Sequence, residues 1–271
     1  MLKLLSLMQR EQYATEGFLC PIRVLSTSEA DRFRASCDEL ERSMGGKPRT
    51  IQVRQMHLHF PWAWELATHP RILDAVEDIL GPDILIWATE LFSKHAYDSQ
   101  LSIGWHRDRP YMGFAQDEVV TAWVSLGRSI RANGCMCVLP RSLDHLDGEV
   151  RTPGVEMPQD DIRAVELELG EMSLHDPEIL HGSWPNTSGE KRVGFVIRFV
   201  APTAKPLSGK PKAVLARGQD RYDHFEIVDS LNDSAPAQVL AEMAASAATH
   251  LDVVLDNLRQ TRPTKPTRAQ P

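Results

Sequence analysis

Arg192-Val193-Gly194-Phe195-Val196-Ile197-Arg198-Phe199-Val200 reads as a β-strand, and it sets the class of the fold. Successive side chains in a strand point to opposite faces. Val193, Phe195, Ile197 and Phe199 therefore share one face, and Gly194, Val196 and Arg198 share the other. Similar short runs precede it at residues 84–92, 119–126, 135–140, 165–169, 172–174 and 178–180. Asn133-Gly134, just before the third run, is a hairpin signal. Many short strands divided by turns predict a sandwich or barrel, mainly β, with helices at its flanks.

The helices lie mostly upstream. Residues 6–15 predict a short helix ending near Gly17, followed by a first strand from Phe18 to Ile22. Ser26-Thr27-Ser28-Glu29 has the pattern of a capped helix start. Phe33, Cys37 and Leu40 follow at helical spacing, up to Gly45-Gly46. Residues 61–66 and 70–80 predict two more helices, stopped by Gly81-Pro82-Asp83. Residues 144–158 lack periodicity and are expected at a rim. Val239, Leu240, Met243, Leu251, Val254, Leu255 and Leu258 predict a C-terminal helix over about 236–259, which either docks on the body or meets a second copy as a homo-oligomer. The expectation is one domain over residues 1–271, with a β-core over about 50–200.

Composition narrows the partners. A net charge of −7 argues against a nucleic-acid binder, which usually shows a basic face. Cys20, Cys37, Cys135 and Cys137 form no C-x-x-C pair and read as reduced core residues, which suits the cytoplasm. The apolar start, Met1 to Met8, is too short for a signal peptide, and no run approaches a membrane span. The expected partner is a small-molecule substrate.

Gly104-Trp105-His106-Arg107-Asp108-Arg109-Pro110 carries the chemistry. In an extended strand His106 and Asp108 share a face and reach one metal ion. On its own an H-x-D pair is common in proteins that bind no metal. His181, at the end of an apolar run, supplies a third ligand. Two histidines and a carboxylate form the facial triad of non-haem Fe(II) oxygenases. Ser183 stands two residues after His181, and Arg192 eleven after it. Such a site draws electrons from a 2-oxo acid whose keto-carboxylate end chelates iron. The far carboxylate is then buried and needs a partner, and a guanidinium offers it two parallel hydrogen bonds.

The blocks W-H-R-D at 105–108, T-A-W-V-S-L at 121–126, N-G-C-M-C-V-L-P-R-S-L at 133–143, G-E-M-S-L-H-D at 170–176, H-G-S-W-P-N at 181–186 and K-R-V-G-F-V-I-R-F at 191–199 resemble the phytanoyl-CoA dioxygenase family of Fe(II)/2-oxoglutarate oxygenases, especially its bacterial members. With G-P-D-I-L-I-W at 81–87 the resemblance covers most of residues 10–200. It implies a double-stranded β-helix, the cupin-like jelly roll, with iron at its mouth. By position it implies His106, Asp108 and His181 as iron ligands, and Arg192 and Ser183 on the distal carboxylate of 2-oxoglutarate. Trp123 and Trp87 fall on positions that line the co-substrate; Arg54 falls loosely on an upstream basic co-substrate residue, and Lys94 on a recurrent lysine. Relatives often have proline after that lysine; here it is His95.

The expected activity is oxidation of a C–H bond with Fe(II), 2-oxoglutarate and O2, releasing succinate and CO2. Related halogenases lack the carboxylate at the Asp108 position, so hydroxylation is expected here, with desaturation, cyclisation or demethylation as other outcomes of the same chemistry. A non-catalytic metal-binding jelly roll and a zinc hydrolase are the competing classes. His57 and His59, on one face if that segment is a strand, and Arg109 and Tyr111 are the candidate substrate contacts.

Overall fold

A computed structural model describes residues 2–46, 53–99, 101–115, 118–140 and 161–228. The expected C-terminal helix over 236–259 and the 144–158 stretch lie outside these residues. Five helices are described: α1 (Leu7–Glu16), α2 (Thr27–Ser43), α3 (Pro61–Ala67), α4 (Pro70–Leu80) and the short α5 (Arg109–Met112). Eleven strands are described as well: β1 (Phe18–Arg23), β2 (Ile84–Lys94), β3 (Ile103–His106), β4 (Val119–Ser125), β5 (Met136–Leu139), β6 (Arg163–Val165), β7 (Glu171–His175), β8 (Leu180–Ser183), β9 (Arg192–Val200), β10 (Lys212–Arg217) and β11 (Glu226–Ile227).

Two sheets form the core of a jelly roll. The larger has the order β1-β7-β4-β9-β2-β10-β11, the smaller β3-β8-β5-β6. Strands at residues 18–23 and 212–217 join the larger sheet, so the β-structure extends beyond the expected 50–200 range. Pro21 sits where the edge strand β1 shifts register, a place that tolerates a missing N–H.

The alternation in β9 divides the molecule. Val193, Phe195, Ile197 and Phe199 pack with Val120, Ala122 and Val124 of β4 and with Phe33 and Cys37 of α2 and Ile72 and Val76 of α4. Val196, on the opposite face, packs with Trp123, Met136 and Val165 between the two sheets. The larger sheet is thus buried on both faces, under helices on one and the smaller sheet on the other. Each fully buried side chain of this kind contributes roughly 1.5–3 kcal/mol.

α2 starts where the sequence signals it. Ser26 caps it, with Glu29 completing the reciprocal capping box. The helix then clamps the start of β9. Lys191 reaches Asp38 at 2.8 Å and Glu41 at 2.5 Å, and Ser93 donates to Glu41 at 2.8 Å. This fixes the entry to β9, where Arg192 sits.

Two local expectations need correction. Asn133-Gly134 does not join a hairpin, because β4 and β5 lie in different sheets. Gly134 adopts φ 78°, and a Cβ there would lie 2.4 Å from the Trp184 carbonyl, so the turn demands glycine. The turn residue is right, but the chain crosses to the second sheet. Residues 56–58, read as strand or loop, form a 3-10 turn, so the shared strand face expected of His57 and His59 in the strand case does not arise.

Candidate metal centre and co-substrate pocket

β3 and β8 pair antiparallel with His106 opposite His181, and their rings lie 4.2 Å apart at the centroids. The Nδ1 of His106 is 2.9 Å from the Gly104 carbonyl, and that of His181 is 3.1 Å from the Ile179 carbonyl. Each imidazole donates from Nδ1 to a carbonyl two residues upstream. Nε2 of each is then the atom free to meet a metal; burial opposes the charged form of His106, but Asp108 raises its pKa, so metal binding there displaces a proton.

Asp108 joins them by a route the strand pattern does not give. β3 ends at His106, and Asp108 stands at the N-terminal boundary of α5 with φ −77° and ψ −30°. Its backbone N–H donates to the Pro177 carbonyl at 2.9 Å. Its Oδ1 lies 3.6 Å from His106 Nε2 and 3.8 Å from His181 Nε2. One ligand atom from each of the three residues falls within 4.8 Å of the others. Burial opposes the Asp108 charge, but Arg198, His106 and His181 hold the carboxyl well below its usual range. Burial, and then the charge of His106, push His181 down to about 4. An ionised carboxylate and a neutral imidazole are the forms that ligate a metal.

The triad opens into a cavity between the sheets that is partly open to solvent. Ser183, Trp123 and Arg192 line it together with apolar Phe92, Ile103, Met136 and Val196. Arg192 is 3% exposed, and its guanidinium lies over the Trp123 ring at 5.3 Å. It donates through Nη1 to the Gly134 carbonyl, while Nε is buried without a hydrogen-bond partner. Burial lowers its pKa to about 10. Lys94 lies beside it. Its buried ammonium donates to the Ser183 hydroxyl at 2.6 Å and to the Trp184 carbonyl. Burial, and then the charge of Arg192, push Lys94 down to about 7.

This donor set fits ferrous ion and a keto-diacid. Two imidazoles and a carboxylate lie at one part of the cavity. A buried guanidinium with an unfilled donor and a hydroxyl lie at another, and the Lys94 ammonium, not itself in the wall, donates to that hydroxyl. An orphaned buried donor costs about 1–3 kcal/mol until a ligand satisfies it.

Trp87, Arg54 and His57 lie outside the cavity wall. Trp87 packs edge-on against Phe114 at 5.3 Å in a separate apolar cluster and is not in the cavity wall. Arg54 pairs with Glu90 at 3.0 Å rather than lining the cavity. His57 is buried against Thr89, with Nδ1 at 2.9 Å from the hydroxyl, and is not in the wall either. Arg109 pairs with Glu178 at 2.7 Å, and Tyr111 stands edge-on to His106 at 6.2 Å. Three polar wall residues were not among the expected site residues: Thr121, His175 and Arg198. Arg198 had a signal, since it shares the β9 face with Val196. Thr121 and His175 are cross-strand partners, which no local pattern reveals.

Comparison with known proteins agrees with this geometry. The sequence profile described as phytanoyl-CoA dioxygenase (PhyH) matches residues 13–194. A probable alpha-ketoglutarate-dependent hypophosphite dioxygenase of Stutzerimonas stutzeri is 27% identical over 186 residues, 63% of this chain and 64% of that protein. The peroxisomal phytanoyl-CoA dioxygenase of Rattus norvegicus is 24% identical over 241 residues, 76% of this chain and 71% of that one. Among solved structures, the non-heme monooxygenase ThoJ in its apo form superposes with a TM-score of 0.80 at 30% identity, covering 93% of this chain and 99% of ThoJ. CytC3 with Fe(II) and alpha-ketoglutarate shares the fold, with a TM-score of 0.65 at 21% identity over 84% of this chain and 94% of CytC3. The chain belongs to the phytanoyl-CoA dioxygenase family of iron- and 2-oxoglutarate-dependent oxygenases.

Proposed function

We propose that this chain is a dioxygenase that hydroxylates a C–H bond of a small molecule. His106, Asp108 and His181 hold Fe(II) in this reading. Arg192 and Ser183 hold the distal carboxylate of 2-oxoglutarate against Trp123, and Lys94 braces Ser183. When bound, ferrous ion with 2-oxoglutarate and O2 supplies an oxidant strong enough to break a C–H bond, releasing succinate and CO2. The chain's own part is orientation. The two carbonyl-anchored imidazoles and Asp108 fix one side of the centre, and the Arg192 end fixes the length and direction of the co-substrate. Phe92, Ile103, Met136 and Val196 keep the space beside it apolar, which favours an apolar portion of the substrate there.

The observation that carries this reading is the buried Arg192 with its unfilled Nε, in one cavity with the triad. A metal-binding jelly roll without turnover has no use for such a cation. Proteins of this fold at 21–22% identity include the epimerase SnoN and the carbocyclase SnoK, so fold alone does not choose the reaction outcome. Asp108, present here, favours hydroxylation. Free Cys20, Cys37, Cys135 and Cys137 suit a reducing cytoplasm. Among the described residues no helix is long and apolar enough to cross a membrane. We place the catalytic unit in one domain.

The test is anaerobic titration of the Fe(II)-loaded protein with 2-oxoglutarate, followed by admission of air. A charge-transfer absorption and then succinate are expected. Full iron occupancy with neither signal overturns the reading.

A further inference from the structure

Asp108 has two ways to place its carboxylate. At the N-terminal boundary of a helix, an aspartate side chain ordinarily folds back onto the helix's own first N–H groups. Here it makes no such bond. Its main chain is pinned by Pro177, which accepts from the N–H of Asp108 and from that of Arg109 at 3.1 Å. The side-chain torsions are set by something else.

Among the described residues, the outer oxygen, Oδ2, pairs with Arg198, whose Nη2 lies 3.5 Å away. The inner oxygen, Oδ1, faces the two imidazoles. Arg198 is held from behind. Its Nη1 lies 2.8 Å from Glu90 Oε2, and Glu90 Oε1 lies 3.0 Å from Arg54 Nη2. Glu90 is 2% exposed, and its strand position is fixed by β9, where it faces Val196, and by the bridge to Arg54. Four charges alternate in sign from Arg54 through Glu90 and Arg198 to Asp108. Their formal sum is zero, so the row buries no net charge beside the centre.

We infer that Arg198, buttressed by Glu90 and Arg54, is a positioning residue that keeps Asp108 turned into the cavity and presents one carboxylate oxygen to the metal. The guanidinium fork suits this task, because its two nitrogens serve two carboxylates at once. A lysine offers a single point charge. The inference rests on the assignment of His106, Asp108 and His181 as metal ligands. Partners of this kind, one shell out from the metal, are commonly worth about 10–100-fold in metal affinity.

The test uses Co(II) as an oxygen-stable spectroscopic probe, titrated into the full-length metal-free protein. Wild type, Arg198→Met and Arg198→Lys are compared for dissociation constant, visible absorption and melting temperature. Arg198→Met is expected to weaken Co(II) binding by about tenfold or more and to change the absorption of the bound ion. Arg198→Lys keeps the charge and is expected to recover part of the affinity but not the wild-type spectrum. A lowered melting temperature with wild-type Co(II) affinity and spectrum shows a merely structural role and overturns the inference. Should the methionine variant fail to fold, the lysine variant decides alone, and a wild-type spectrum from it overturns the inference. A wild-type protein that binds no Co(II) overturns the ligand assignment itself, a distinguishable result.

Discussion

The Lys94 ammonium donates to the Ser183 hydroxyl at 2.6 Å, and Ser183 lines the cavity together with Arg192, a second buried cation. Burial, and then Arg192, push Lys94 from an ordinary 10.5 to about 7. A bound dicarboxylate favours the charged form, so binding takes up a proton above pH 7. The affinity for 2-oxoglutarate is therefore flat below about pH 7 and falls above it, by at most about tenfold per pH unit. Lys94→Met should lower affinity at pH 6.5 and remove the slope. Calorimetry in two buffers of different ionisation enthalpy reads the proton uptake. Equal heats in both at pH 8 would sink the assignment.

Metal binding is linked to folding through the triad. A metal present at about a hundred times its dissociation constant stabilises the fold by about 2.7 kcal/mol. Wild-type melting should rise accordingly with anaerobic Fe(II) and return to its starting point on chelation. Asp108→Ala and His181→Ala each remove one of three ligands, and neither variant should show the rise. An unchanged metal-dependent shift in either one refutes that residue as a ligand.

Gly194 tests the seat of Arg192. A Cβ there would lie 1.9 Å from Cζ2 of the Trp123 ring. That ring is the platform under the Arg192 guanidinium. Gly194→Ala must displace the indole, and overpacking of this kind costs about 1–3 kcal/mol. The affinity for 2-oxoglutarate should fall with it, whereas that for Co(II) alone should not. A variant with normal co-substrate binding would show that Trp123 plays no part in holding it.

How far the sequence reaches can be judged residue by residue. The period of two in β9 separates Val193 and Phe195 from Val196 and Arg198, and the structure turns the first pair to the helices and the second to the cavity. The helix start at Ser26 is legible because capping is local chemistry, whereas the equivalent box at Ser6 was not read. Asp108 was legible as a partner of His106, although for a reason the backbone does not honour. The Asn133-Gly134 reversal was legible as a turn but not in its destination, because turn chemistry constrains φ and says nothing about which sheet comes next. Trp87 could not be separated from Trp123 by sequence. Both lie buried on strands, and only packing shows Trp87 against Phe114 and Trp123 against Arg192.

His57 gives a pH-dependent contribution to stability. It is 1% exposed and bonded to Thr89, and burial, then His59, lower its pKa to about 3. The unfolded chain takes up this proton near the ordinary 6.5. The contribution is complete above pH 6.5 and is lost as the pH falls from there toward 3, by about 1.4 kcal/mol per unit. His57→Gln, which retains a polar side chain for Thr89, should flatten the stability profile of the metal-free protein between pH 6 and 4. An unaltered profile would mean that His57 is not held neutral.

Glu90 and Glu65 make a controlled pair. Glu90 is 2% exposed between Arg54 and Arg198, at 3.0 and 2.8 Å. Glu65 meets Arg32 at 2.6 Å, but both side chains are about half exposed, at 52% and 51%. Distance alone ranks the second pair higher. Burial reverses the order, because water screens the exposed pair, while loss of the inner carboxylate leaves two largely buried guanidiniums, 21% and 13% exposed, without their shared partner. Glu90→Gln keeps the shape and removes the charge, and breaking a buried pair in this way costs about 3–5 kcal/mol. Glu65→Gln should cost no more than about 1 kcal/mol. Urea unfolding of the metal-free proteins at pH 7 measures both, and 1 M salt should leave the Glu90 loss nearly intact while shrinking the other. Equal losses at the two sites would mean that the Arg54–Glu90–Arg198 row is solvated, and the account of how Asp108 is held would fail with it.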